Sequence, residues 1–262
     1  VTADDYASII KKEFSNIDSI STWGGEDNDP PDYGKVYIAI KPLLADQLTT
    51  AEKTDITGVI LKGKNVVSIT PEIVNTNYTF LEIDANFKYN PNLTDRSSVE
   101  LQSVVRDTIT DYNFNNLNKF DGVFRHSQLT RAIDNSDPSI LNTIIRPRMF
   151  QNITPSNVST LPNDFNLTFT SPFYQSGNST AFILTSSAFK INNVDHFFGD
   201  IPITGSTQRQ VIVYKVVNLE NVTVINNAGI IDVLKGTITL HSFLPDATTA
   251  IKITVLPNSL DL

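Results

Sequence analysis

The sequence holds 262 residues, no cysteine and a formal net charge of −8. This excludes a disulfide framework and a thiolate-held zinc or iron–sulfur site. No apolar run approaches the ~18 residues of a membrane-spanning helix, and the acidic balance disfavours nucleic-acid binding, which needs clustered Lys and Arg. Asn, Ser and Thr together make up about 29% of the chain, well above ordinary usage. Such residues favour turns, caps and strand surfaces over long helices, so the chain is expected to be mostly β with a few helices.

In chain order, Thr2 and Asp5 form a capping-box variant ahead of Tyr6, Ile9, Ile10 and Phe14, which recur at helical spacing. This predicts a helix over 3–15. Residues 17–23 read as a short strand, and a Gly/Asp/Pro-rich loop follows over 24–34. Val36, Ile38 and Ile40 alternate as in a strand. Thr49 and Glu52 cap a second helix with Ile56, Val59 and Ile60 on one face and a stop at Gly63. Residues 66–69 are a further short strand. Residues 78–89 alternate cleanly, with Leu81, Ile83, Ala85, Phe87 and Tyr89 on one side and Glu82, Asp84, Asn86 and Lys88 on the other. The order helix-strand-strand-helix-strand-strand predicts a small sheet with helices on one face, as an α+β domain over 1–92.

A helical segment is expected over 93–158. Ser97 and Glu100 form another capping box, and Leu101, Val104, Val105, Ile109 and Tyr112 give the longest helix, 96–113. A shorter helix, 127–135, carries Leu129, Ala132 and Ile133 and is broken by Asp137-Pro138. Over 159–262 the pattern is all-β. Phe165/Leu167/Phe169, Phe182/Leu184, Val222/Val224, Ile238/Leu240 and Ile251/Ile253/Val255 alternate. The continuous run 211–217 reads as a strand buried on both faces. The fold class expected is therefore α+β and multi-domain: a small mixed α/β sheet domain, a helical middle segment and a C-terminal all-β sandwich or barrel. Candidate linkers that absorb rotation are 90–94 and 154–163.

Two groups of residues stand out as candidate contact sites. Trp23, Glu26, Asp27, Asp29 and Asp32 cluster in the acidic loop. Oxygen ligands so close together suit a hard cation, but the spacing is not that of an EF-hand and two prolines stiffen the loop. A solvated rigid turn fits best, a partner-docking loop comes next and a metal site last; Trp23 beside the loop suits a contact anchor or an ordinary core position. Arg125, Arg131, Arg146 and Arg148 form a modest basic group that suits surface pairs with local carboxylates first and an acidic partner second. His126, His196 and His241 lie in no catalytic or metal-binding frame, and Asp195-His196 has no nucleophile elbow with it. Neither a phosphate loop nor a dinucleotide fingerprint occurs, so no catalytic residue, metal or cofactor is expected. The exposed aromatic pairs Phe173-Tyr174 and Phe197-Phe198 keep open an alternative, a carbohydrate- or receptor-binding β module.

Several longer stretches carry a resemblance. They are Thr2-Ala3-Asp4-Asp5-Tyr6 with its helix, Trp23-Gly24-Gly25-Glu26-Asp27-Asn28-Asp29-Pro30-Pro31, and Tyr33-Gly34-Lys35-Val36. Leu129-Thr130-Arg131-Ala132-Ile133-Asp134, Asp137-Pro138-Ser139-Ile140-Leu141-Asn142 and Ile145-Arg146-Pro147-Arg148 add to it. Together these resemble the baseplate wedge proteins of T-even-like contractile-tailed bacteriophages, relatives of the baseplate J-like family, over roughly the first 150 residues. The remainder carries no motif of that family. The resemblance implies a C-terminal part of a longer protein, in keeping with a chain that begins at Val1. It implies a structural, non-enzymatic virion component of the tail baseplate, assembled in the host cytoplasm. It also implies self-association into dimers and a ring around the hub, and contacts with other wedge proteins and the sheath initiator.

Overall fold

The computed structural model describes residues 2–28, 30–64, 69–120, 122–158 and 161–262. The chain forms two compact units. The first comprises Val1–Asn77 and Asp111–Val123, the second Tyr78–Thr110 and Phe124–Leu262.

In the first unit, α1 (Ala3–Glu13) begins as the sequence predicts: the Thr2 amide donates to Asp5 Oδ2 at 2.7 Å. Tyr6 and Ile10 are its buried residues. Strand β1 (Ser19–Gly24) pairs antiparallel with β2 (Lys35–Lys41). The helix α2 (Thr50–Asp55) follows, with its capping box closed by Glu52 N donating to Thr49 Oγ1 and Thr49 N to Glu52 Oε2. The helix then widens into a single π turn over Ile56–Ile60, closed by Leu61 N donating to Ile56 O. That extra residue rotates the expected face. Ile56, Ile60 and Leu61 enter the core, while Val59 is 68% exposed. Gly63 ends the element at φ 72°, a conformation that suits glycine. Strand β3 (Thr70–Val74) lies parallel to β2, which makes β2–α2–β3 a crossover unit. Residues 66–68 of the strand expected at 66–69 lie outside the described residues, and β3 itself was not predicted. The core packs Tyr6 and Ile10 on Val36, Ile38, Ile40, Ile56 and Leu61.

In the second unit, β4 (Phe80–Tyr89) does not join the first sheet, as its place in the sequence suggests. It pairs along its whole length with β5 (Ile140–Ile153). Helix α3 (Ser98–Tyr112) is capped by Ser97 and Glu100 as expected; it buries Leu101 and Val105 in this unit, while its last two residues, with the buried Tyr112, belong to the first unit. Helix α4 (His126–Asp134) buries Leu129 and Ile133. Residues 140–153, inside the segment expected to be helical, are strand. Their buried positions Thr143, Ile145, Pro147 and Met149 alternate with exposed ones, a period that only a strand uses to cover a core.

The rest of this unit comprises β6 (Asn163–Thr168), β7 (Leu184–Ser186), β8 (Phe189–Ile191), β9 (Val194–Pro202), β10 (Gln208–Val217), β11 (Glu220–Asp232), β12 (Thr237–Phe243) and β13 (Ile251–Val255). Two antiparallel sheets result, β4-β5-β13-β7 and β6-β12-β11-β10-β9-β8. One core joins them: Met149, Leu184, Ile253 and Val255 from the first share it with Leu167, Phe198, Val211, Ile231 and Leu240 from the second. The architecture is α+β and multi-domain. Of the run 211–217, only Val211, Ile212 and Val213 are buried on both faces; Val216 and Val217 are exposed. The two expected linkers, 90–94 and 154–163, are tied within this unit. Asn90 N donates to Ser139 O, and the buried Asn163 side chain bonds Ser156, Asn157 and Phe243.

Candidate functional site

The acidic loop of the first unit is a closed turn. Asp32 N donates to Gly25 O at 2.8 Å. A Cβ on Gly25 would lie 1.9 Å from Asp32 O, so only glycine allows the loop to close this tightly. Trp23 on β1 sits directly opposite Tyr37 on β2, with ring centroids 5.8 Å apart and the rings stacked. Its indole Nε1–H donates to Asn28 Oδ1 at 2.9 Å, which fixes the ring against the loop. Trp23 is half-buried and stands apart from the core cluster.

Asp32 accepts from the Tyr37 hydroxyl at 2.7 Å and from Lys35 Nζ at 3.0 Å. Lys35 also holds Glu72 on the neighbouring β3. The Tyr37 and Lys35 hydrogen bonds hold the Asp32 carboxyl below its ordinary value. Asp32 in turn raises the Tyr37 hydroxyl, and with Glu72 it raises the Lys35 ammonium. Asp32 is therefore spent internally. Glu26 and Asp27, in a turn of 3-10 helix, are exposed, and the Glu26 carboxylate folds back over Gly24. Asp29 lies outside the described residues. Among the described residues, no three His, Asp or Glu side chains converge as a metal ion requires. The arrangement holds a half-buried indole and two exposed acidic residues on one tight turn.

The arginines separate into two groups in the second unit. Arg125 pairs with Asp261 at 3.6 Å. Arg131 is exposed on α4. Arg146 and Arg148 stand two residues apart on the exposed face of β5, opposite Asp84 and Glu82 of β4. Glu82 is taken by Lys252, whose ammonium lies 4.3 Å from the centroid of the Phe150 ring. The structure thus brings Arg146 and Arg148 together, beside the stacked Phe80 and Phe150 rings.

The aromatic pairs considered for a sugar platform do not form one. Phe173 and Phe198 are fully buried in the core, because alternation along the chain turns one member of each pair inward. Tyr174 is exposed, and Phe197 stacks on Tyr214. His196 is buried beside Phe189, and its ring nitrogen Nδ1 lies 2.8 Å from Val194 O.

The sequence missed a buried ion pair. Asp200 on β9 and Arg209 on β10 are bonded to each other in the interior. Asp200 also accepts from the amides of Ile183 and Leu184, both at 2.9 Å, while Arg209 donates to the carbonyls of Gly177, Ser179 and Ala181. One pair thus fastens a whole loop. Its signal in the sequence was only an Asp and an Arg nine residues apart.

Residues 2–74 match the model of the baseplate structural protein gp6, C-terminal domain I, and residues 77–152 that of the same protein's C-terminal domain III. Baseplate wedge protein gp6 of Enterobacteria phage T4 is 29% identical over 154 residues, a match that covers 58% of this chain and 23% of that protein. The class is that of a structural protein of a bacteriophage baseplate. More narrowly, the chain belongs to the baseplate wedge protein family, as a part corresponding to its C-terminal domains.

Proposed function

We propose that this chain serves as a mechanical building block of the baseplate wedge, self-associating and helping to join wedges into a ring around the hub. As a member of its family it is a virion component of the tail baseplate. The observation that carries the reading is that two family domains of one baseplate protein match in succession, over 2–74 and 77–152. The role is structural rather than catalytic. Its contacts are with copies of itself, with other wedge proteins and with the sheath initiator. The Trp23 loop with Glu26 and Asp27, and the pair Arg146 and Arg148, are the surfaces offered to those partners. Glu26, Asp27, Arg146 and Arg148 are exposed; the arginines stand on strand β5, and the loop is anchored on the paired strands β1 and β2. Rigid presentation lowers the ordering cost of binding.

An antibody raised against this chain should decorate the tail end of particles of the phage that encodes it. Labelling elsewhere on the particle, or only in unassembled lysate, would overturn the reading.

A further inference from the structure

Two strands of the second unit outrun their neighbours. β9 pairs with β10 only from Arg209 to Tyr214, and β12 pairs with β11 only from Gly229 to Asp232. Beyond those limits β10 and β11 pair with each other alone, as far as Val217 and Glu220. Every residue of this arm from 216 to 227 is exposed, and six of them are large and apolar, from Val216 to Ile225.

The tip adds a second cost. Asn218 and Leu219 have φ of 51° and 68°, the left-handed pair of a two-residue hairpin turn. Asn suits that geometry, but the second position ordinarily takes Gly. Leu219 instead carries a branched side chain in a strained conformation, and it is 97% exposed. Among the described residues, no side chain covers the arm from 216 to 227.

The long edge of the arm also lacks the protection that the edge strands β3 and β4 have. β4 carries Glu82, Asp84 and Lys88, and β3 carries Pro71 and Glu72. Charges and proline are the usual guards against strand addition. In β11, residues 221–231 contain no charge and no proline, on a chain of net charge −8. Copies of an acidic chain repel one another, and a neutral strand is where they approach at least cost.

We propose that this arm is a docking element that pairs edge to edge with the same arm of a second copy, β11 against β11. An antiparallel pairing of identical strands is self-complementary and closes as a two-fold dimer. Centred on Thr223, it sets Val222 of one copy against Val224 of the other and Glu220 against Asn226, so no like charges meet. A parallel pairing in register would oppose Glu220 to Glu220. The dimer buries the apolar side chains of the arm and supplies partners for its open backbone groups. The inference rests on the self-association proposed above and assigns it to one strand.

The absence of cysteine makes the test clean. Antiparallel partners at the axis lie ~4.5–5.5 Å apart at Cα, within disulfide range. Thr223→Cys, the position that faces its own equivalent across the axis, is oxidised, with Val224→Cys, whose equivalents lie two residues out of register, and Thr249→Cys on another exposed loop as controls. In parallel, light scattering follows the mass of the unmodified chain and of Val222→Lys/Val224→Lys over a wide concentration range. Both lysines replace exposed residues, so the variant should keep the far-ultraviolet circular dichroism of the folded chain. The expected result is a mass rising from 29.0 kDa toward about twice that value, a lysine variant that stays at the lower mass, and disulfide dimers from Thr223→Cys alone. A dimer that persists in the lysine variant would overturn the arm's role and leave self-association standing. A strict monomer without arm crosslinks would overturn both.

Discussion

At Arg209 a single side chain holds five polar groups out of water: the Asp200 carboxylate, three loop carbonyls and its own charge. Burial pushes the Asp200 carboxyl up, against the Leu184 amide and the Arg209 guanidinium, which pull it down. Removing one partner of such a pair strands the other in a low dielectric. Arg209→Met should therefore cost about 3–5 kcal/mol of stability, read as a lowered urea midpoint. Asp200→Leu on the same background should return part of that loss, because the uncompensated charge is then gone. A midpoint unmoved by Arg209→Met would mean that the loop is held by other contacts. The sequence could not reveal this pair. Asp200 and Arg209 meet only because the β9–β10 hairpin sets Val211 against Asp200 and Arg209 against Pro202, a register that no local pattern specifies. Trp23 is the opposite case. Its prominence beside the Gly24-Gly25 turn was plain from the residues, whereas its stacking on Tyr37 required the register of β1 on β2.

At the scale of elements, capping chemistry was the most legible part of the chain. All three boxes, Thr2/Asp5, Thr49/Glu52 and Ser97/Glu100, engage as read. Their carboxyls are held low, each chiefly by the backbone amide it accepts from: Thr2 for Asp5, Thr49 for Glu52, Ser97 for Glu100. Asp137 is held low as well, mainly by Ser139. A carboxyl lowered on folding contributes stability that is fully present above its unfolded value, 3.8 for Asp and 4.5 for Glu. That contribution is lost as pH falls through the folded value. The melting temperature should accordingly be flat above about pH 5 and drop below about pH 4. Glu52→Gln with Glu100→Gln should shallow that drop, and an unchanged acid limb would count against the assignment. Strand identity was harder to read than helix caps. Residues 140–153 carry Pro147 and two arginines, which mask the alternation until the burial of Ile145, Pro147 and Met149 is seen. The π turn at 56–60 likewise shifted Val59 outward, because its extra residue breaks the 3.6-residue period on which the reading relied.

For the whole molecule, the family match ends near residue 152 while the core does not. Strand β5, inside the matched region, is paired by β13 near the other end of the chain, and Met149 and Ile153 pack among residues of the later sheet. A chain cut after residue 158 should keep the core of the first unit but lose the fold of the second. Proton–nitrogen NMR would then show dispersed signals only for the first. Full dispersion throughout would mean that the β4–β5 pair and α4 suffice without the later strands. Sequence reasoning separated an early α+β part from a late β part. It could not place β4 with β5, because strand partners sixty residues apart leave no periodic trace.

The chain crosses between the two units three times, at 77/78, 110/111 and 123/124, the second of these within helix α3. A string of beads would have one crossing. A force that pulls these units apart must load three covalent tethers at once, so the extension available to any single tether is set by the shortest of them. That wiring acts as a tension limiter: under load, the units within one molecule remain leashed.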